Sequence, residues 1–348
     1  MSNPWPLETL VGATLLAVVT GGTVATLVAD DAFAPLDAPV LDGTWASEWE
    51  DRLDAGFGPR IWGIDFWGVV EWTVFRQGRP GVLVGTDDWL FTREEFEVLP
   101  GRDAEIASKR SRILAVQKQL MARNIQLVVA LVPSKARIYS DRVSLPPTMD
   151  STYGAFRESL LAEGVTAPDL VAPLRAARAQ GEVFLATDTH WTPLGASVVA
   201  AALRSSVADW EPQDGAAWTI EAGEAIPHEG DLLSYVPLGP WQGVLGPGAE
   251  TVSTRILTGT APTGGGLLGD VEIPITVVGT SYSANITWGF VDELKAAFQS
   301  DALNAAQEGR GPIVPMEAWT NDASFLETPP RLVIWEIPER YLGRPDPQ

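Results

Sequence analysis

Cysteine is absent from the 348 residues, so disulfide frameworks, thiolate zinc sites, iron–sulfur clusters and cysteine nucleophiles are excluded together. Histidine is nearly absent. His190 and His228 are the two in the chain, and any imidazole chemistry must use one of them. Positive charge is scarce: 24 Lys and Arg stand against 45 Asp and Glu, a formal net charge of −21. Affinity that comes from neutralising phosphates needs a basic stripe, so nucleic acid is not an expected partner. With two His and no Cys, few metal ligands remain at recognisable spacing, and neither a metal nor a cofactor is expected. No Lys or Arg precedes Arg52, which removes the charge bias that would orient a membrane segment. What is present is a globular composition, 45% hydrophobic and 20% charged, long enough for one large or two ordinary domains.

Leu10 to Ala29 carries no charged residue, and as a helix it would span about 30 Å, the hydrocarbon thickness of a bilayer. It is expected to be a single transmembrane anchor, residues 10–29, after a stub of residues 1–9. A signal peptide with the small-x-small pattern Ala32-Phe33-Ala34 is the alternative. Residues 30–43, acidic and Ala/Pro-rich, read as a tether, and residues 44–348 as the remaining domain. Helical spacing is expected over Thr44–Leu53, Arg60–Arg76, Ala104–Asn124, Ser151–Glu163 and Leu170–Gln180, from Pro193 and near Val291–Phe298. Apolar runs predict strands at Gln126–Val132, Val183–Ala186, Ile273–Val278 and Leu332–Glu336, and Gly85–Asp88 turns between two short runs as a hairpin. Helices alternating with apolar strands predict an α/β fold around a mostly parallel sheet. Residues 210–269, rich in Gly and Pro, read as an irregular or β insertion.

Two stretches carry chemistry. Ile273 to Val278 runs into Gly279-Thr280-Ser281-Tyr282-Ser283, a serine at the carboxyl end of a strand, where open α/β sheets place their ligands. Such a serine presents its hydroxyl at the sheet edge; the plainer reading makes Ser281 or Ser283 a helix cap. The second stretch is Asp188-Thr189-His190-Trp191-Thr192-Pro193. Two residues apart in extended backbone, Asp188 and His190 project to one side, so the carboxylate can orient the imidazole and leave Nε2 to take a proton. A serine is a weak nucleophile without such a base, so the two stretches are expected to meet.

Gly85-Thr-Asp-Asp-Trp89-Leu-Phe91, Val132-Pro-Ser-Lys135-Ala-Arg-Ile-Tyr139, Asp188-Thr-His190-Trp191-Thr-Pro193, Gly230-Asp231-Leu232, Gly279-Thr-Ser281-Tyr-Ser283 and Trp335-Glu336-Ile-Pro-Glu339-Arg340-Tyr341 occur in this order. In this the chain resembles the AlgJ/AlgX-type SGNH hydrolase-like O-acetyltransferases of alginate and related exopolysaccharides, over about residues 44–342. The resemblance implies an SGNH-hydrolase-like three-layer sandwich with circularly permuted motif order, Asp-x-His preceding Ser. It implies Ser281 as nucleophile, His190 as base and Asp188 as its partner. It further implies an export location, a polysaccharide acceptor and a donor supplied through a membrane-bound O-acyltransferase; together with the anchor of residues 10–29, the expectation is a single-pass inner-membrane protein with its catalytic domain in the periplasm. The short stretch after Tyr341 resembles the single-domain AlgJ-like arrangement rather than members with a carbohydrate-binding C-terminal module.

Lys135 and Arg137, following a strand end, are candidates to bind a sugar or acyl carboxylate, or else solvated turn charges. Trp191 and Trp288, which neighbour the two stretches, are candidates to stack on a pyranose ring, and Tyr282 and Ser283 to line the substrate pocket beside Ser281. His228 and Asp231 are expected to shape the cleft wall. Glu336, Glu339 and Arg340 read as a structural ion-pair network, with paired carboxylates for glycoside hydrolysis as the sharper reading. An acetyl esterase with the same triad, or a non-catalytic polysaccharide-binding scaffold of an export complex, are the rival functions. The charge of −21 would repel an anionic acceptor unless the cleft is locally basic, which favours a neutral or unknown exopolysaccharide over alginate.

Overall fold

The computed structural model describes residues 7–28, 38–144, 147–213, 215–260 and 273–346. The chain divides into two compact units, Met1–Gly78 with Val236–Gly246, and Arg79–Tyr235 with Pro247–Gln348.

The first unit holds α1 (Leu7–Val28), α2 (Thr44–Gly56) and α3 (Gly58–Val70), followed by a π-helical turn, Glu71–Phe75. Trp72 in that turn is buried and donates its indole N–H to the Leu245 carbonyl at 2.9 Å, which ties the returning segment 236–246 to these helices. Helix α1 occupies the place expected of the anchor. Among the described residues, however, no helix is long and apolar enough to cross a membrane. Gly12, Gly21, Gly22 and four Thr dilute its Leu and Val. Residues 1–6 of the expected stub and 30–37 of the expected tether lie outside the described residues.

The second unit opens with the expected hairpin, β1 (Val82–Val84) paired antiparallel with β2 (Leu90–Thr92). Then come α4 (Arg102–Met121), β3 (Gln126–Val132), α5 (Lys135–Ile138), α6 (Pro147–Leu161), α7 (Val171–Ala177) and α8 (Pro193–Ser205). An antiparallel ribbon follows, β4 (Ala217–His228) with β5 (Glu250–Thr260). The chain continues through β6 (Ile275–Val278), α9 (Ser281–Ala284), α10 (Phe290–Phe298), β7 (Ala302–Asn304), α11 (Ile313–Trp319), α12 (Ala323–Leu326) and β8 (Leu332–Pro338). Among the described residues the main sheet is parallel with order β3-β8-β6-β7.

Continuous apolar strands form its centre because both faces are covered. Val128, Ala130, Val132, Ile275, Val277, Leu332 and Ile334 face a layer that includes Leu174, Val199, Leu203, Leu294 and Phe298 from α7, α8 and α10. The alternate residues Leu127, Val129, Leu131, Val278, Val333, Trp335 and Ile337 face Ile113, Leu120, Phe156, Leu160, Ile313 and Met316 from α4, α6 and α11. This is the expected three-layer sandwich.

One strand expectation fails. Val183–Ala186 is not a strand but holds a single bridge, Phe184 to Trp191, within a tight loop closed by Leu185 N–H to His190 O and Thr192 N–H to Val183 O. The apolar run is buried in the core beside Tyr139, whose ring meets Phe184 edge to face and whose hydroxyl accepts from Val183 N–H, and its end touches β2 through Leu90 N–H to Ala186 O. The expected insertion contains a two-stranded ribbon, whose register shifts between Ala222 and Ala225, and its residues 214 and 261–269 lie outside the described residues.

Candidate active site

Strand β6 ends at Val278, and Gly279-Thr280 turns the chain into α9. Thr280, not Ser281, is the cap: its side chain accepts from Tyr282 N–H. Ser281 is therefore the first helical residue, half-buried, with its hydroxyl left over for another partner. Gly279 is required by close approach, since a Cβ there would lie 2.5 Å from Glu336 Oε2. Glu336, near the end of β8, is fully buried and accepts from Thr280 N–H (2.7 Å), Thr280 Oγ1 (3.1 Å) and Ser283 Oγ (3.1 Å). It holds the serine turn from beneath.

Burial pushes the Glu336 carboxyl up to about 7, against the opposing pull of those donors. Because the folded protein holds this proton over a range where the unfolded chain releases it, stability falls as pH rises from about 4.5 to about 7 and levels off above. Glu336→Gln is expected to flatten that dependence, a difference on the order of 2 kcal/mol, read as a smaller drop in Tm between about pH 5 and 7.5.

His190 Nε2 lies 2.7 Å from Ser281 Oγ, across 91 residues of chain, and His190 Nδ1 lies 2.6 Å from Asp188 Oδ1. The His190 backbone N–H also donates to Asp188 Oδ1, at 2.9 Å. Asp188 Oδ2 meets His228 Nε2 at 2.8 Å and accepts from Asp231 N–H at 3.1 Å. Burial raises the Asp188 carboxyl, but the hydrogen bond and charge of His190 and the hydrogen bond from His228 outweigh it and hold the group well below the usual carboxylate range. As an anion it takes Nδ1–H, which turns Nε2 toward the serine hydroxyl, where it can accept that proton.

The loop that carries Asp188 and His190 has no regular structure, yet it is held on every side. The Glu250 carboxylate accepts from Ala186 N–H (2.8 Å), Thr187 N–H (2.7 Å) and Thr187 Oγ1 (2.5 Å). Asp231 accepts from Thr189 N–H (2.8 Å) and Thr189 Oγ1 (2.6 Å). Gly230 lets the chain pass against the loop, since a Cβ there would lie 2.2 Å from Thr187 O. Asp188, His190 and Asp231 bring potential ligand atoms within 4.8 Å of one another, but the carboxylates of that group are already occupied by these donors.

Six residues expected to touch substrate are placed elsewhere. Lys135, 1% exposed, donates from Nζ to the carbonyls of Leu90 (2.5 Å), Ala186 (2.9 Å) and Asp188 (3.0 Å), so its three N–H bonds fasten the loop to the start of β2. Burial pushes this ammonium down and pushes Glu95 up, while each group's charge pulls the other back toward ionisation. Glu95 takes the N–H groups of Lys135 and Ala136 at 3.1 and 2.9 Å. Arg137 is buried in a two-pronged pair with Glu339, Nε to Oε2 at 2.9 Å and Nη2 to Oε1 at 2.6 Å. Tyr282 is buried with its hydroxyl on the Thr189 carbonyl, and buried Ser283 donates to Glu336. Trp191 is buried against Tyr282 and Phe290. Trp288, also buried, stacks on His190 at 5.2 Å and meets His228 edge to face at 5.2 Å. None offers a sugar-sized face. A charge or an aromatic at a strand end reads as exposed until its distant partner is known. Of the ion-pair network expected at the end of β8, Glu339 pairs with Arg137 and Arg340 lies 3.6 Å from Glu94, whereas Glu336 binds hydroxyl and backbone donors. His228, expected on the cleft wall, shares the Asp188 carboxylate; its place beside the Gly230-Asp231-Leu232 motif was the available signal.

Fold and site together define a serine-hydrolase-like α/β domain in which an Asp-x-His loop precedes the serine turn in the chain. Residues 82–339 match the family model described as SGNH hydrolase-like domain, acetyltransferase AlgX, and the chain belongs to that family. It is 39% identical over 314 residues to a probable alginate O-acetylase AlgJ of Azotobacter vinelandii, covering 88% of this chain and 81% of the relative. A protein of the same description from Pseudomonas aeruginosa is 40% identical over 323 residues, covering 89% and 82%. Among solved structures, the O-acetyltransferase domain of Pseudomonas putida AlgJ superposes with a TM-score of 0.70 at 38% identity, covering 77% of this chain and 94% of that domain.

Proposed function

We propose that the domain transfers acetyl groups to hydroxyls of an exopolysaccharide through an acyl-enzyme on Ser281. One observation carries this: the unbroken line from Ser281 Oγ through His190 to Asp188, with contacts of 2.7 and 2.6 Å. His190 takes the serine proton as Oγ attacks the donor's acetyl carbonyl. Collapse of the tetrahedral adduct breaks the bond to the leaving group, which takes that proton from the imidazolium. A sugar hydroxyl then gives its proton to His190 and attacks the acetyl ester, and Ser281 recovers its proton as it leaves. Asp188 stabilises the imidazolium in both halves.

The choice of transfer over hydrolysis is supported by relatives described as alginate O-acetylases and by the solved AlgJ O-acetyltransferase domain. Those relatives also favour alginate as acceptor over the neutral polymer suggested by net charge, because net charge sums the whole surface and does not describe the cleft. The donor is proposed to reach Ser281 through a membrane-bound acyltransferase, with the domain in the periplasm and α1 as a tether to the inner membrane. Exposed apolar side chains on α1, such as Leu16 at 68%, and exposed aromatics on α3, such as Trp62 at 80%, support a lipid-facing role for the first unit.

The test is to follow acetyl-enzyme turnover with an activated acetyl ester, with and without unacetylated alginate oligosaccharide and with a neutral oligosaccharide. Acetyl is expected on the alginate oligosaccharide, and faster turnover in its presence. Release to water unaffected by any sugar would point instead to an esterase. If a serine-directed acylating probe failed to label the wild type, a non-catalytic polysaccharide-binding protein would be the better description.

A further inference from the structure

Asp188 is buried at 2% exposure and accepts four N–H groups, two on each oxygen. Oδ1 belongs to His190. Oδ2 belongs to the end of β4 and the turn that follows that strand, through His228 Nε2 and Asp231 N–H. His228 is the last residue of β4 and stands in register with Glu250 of β5. That pair grips the loop at two places: Glu250 at the amides of residues 186 and 187, His228 at the Asp188 carboxylate. The two imidazoles also share Trp288, which lies 5.2 Å from each.

We infer that His228 is a positioning residue for the acetyl-transfer chemistry, fixing the rotation of Asp188 by donating Nε2–H to Oδ2 so that Oδ1 stays on His190 Nδ1. The inference rests on the Ser281–His190–Asp188 mechanism proposed above. Without this donor a buried carboxylate oxygen loses a charge-assisted hydrogen bond, and the side chain regains the freedom to turn away from His190. His228 donates to a carboxylate oxygen that does not face the serine. Its loss therefore acts on the proton-transfer steps and not on sugar affinity. A glutamine at this position can extend an amide N–H toward Oδ2, whereas alanine cannot.

The experiment compares wild type, His228→Ala, His228→Gln, Asp188→Ala and the Asp188→Ala/His228→Ala double variant, all as the full chain. It reads kcat and acceptor KM for transfer, and the rate at which a serine-directed acylating probe labels Ser281. His228→Ala is expected to lower kcat and the labelling rate about 10–100-fold with KM unchanged within about twofold. His228→Gln should recover most of that loss. On an Asp188→Ala background, removing His228 should cost nothing further, because the residue acts through that carboxylate. Wild-type rates in His228→Ala, or a His228→Gln variant as slow as the alanine, would overturn the inference, and so would full additivity in the double variant. Should His228→Ala fail to fold, the glutamine variant and its labelling rate still decide the matter. A wild type that labels normally but transfers to no sugar would fault the acceptor reading alone, leaving His228 to be judged by labelling.

Discussion

Ser281→Ala is expected to lower acetyl transfer by about 10⁴-fold or more and to leave the fold as it was. Among the described residues the serine hydroxyl has one hydrogen-bond contact, His190 Nε2 at 2.7 Å, and it neither caps α9 nor joins the Glu336 cluster. Removing it takes away the atom to which the acetyl group would be bound and nothing that holds the turn. Stability should stay within about 0.5 kcal/mol, as for other half-exposed sites without a structural partner. Intact-mass measurement after exposure to an activated acetyl ester should show an acetylated species for wild type and none for the variant, with overlapping melting curves. Activity within tenfold of wild type would remove Ser281 from the chemistry.

Asp188→Asn is expected to lower kcat by about 10³–10⁴-fold with little change in acceptor KM. An amide keeps one acceptor oxygen but sets an NH₂ group against two of the N–H donors that now converge on the carboxylate. If the NH₂ faces His190, the imidazole must place its proton on Nε2, where it blocks removal of the serine proton. If it faces Oδ2's donors, His228 and Asp231 lose their acceptor. Either orientation leaves a buried N–H unpaired, at a stability cost of about 1–3 kcal/mol. The carboxyl group is held well below its ordinary range, so its contribution to stability is present above the unfolded value of 3.8 and is lost only as pH falls through the lower folded value. Its titration should not limit wild-type activity on the acid side near neutrality. A variant with unchanged kcat would separate Asp188 from the mechanism.

Much of the sheet was legible because its strands announce themselves by composition. Gln126–Val132 is bounded in the structure as its apolar run predicts, since a strand covered on both faces needs no alternation. The Asp188–His190 pair was legible from spacing, and the serine from its place after β6. Short edge elements were not: β7 spans Ala302–Asn304, and so short a segment carries no period. Val183–Ala186 misled because an apolar run reports burial and does not say what does the burying. The roles of Lys135 and Arg137 were hidden for a different reason. Their partners, among them Glu95 and Glu339, lie 40 and 202 residues away, and a local reading of a charged pair after a strand sees only a turn. His228 was legible as a residue near the site, but its bond to Asp188, 40 residues away, was hidden on the same ground.

Strand β8, the last in chain order, is not at the margin of the sheet but between β3 and β6. Gly279 packs on Glu336 of that strand, and Thr280 and Ser283 bond to it. A nascent chain that has emerged only past Ser281 therefore has neither a neighbour for β6 nor a floor for the serine turn. Until β8 threads into the middle, the turn that carries Ser281 lacks the carboxylate that Thr280 and Ser283 bind in the folded domain.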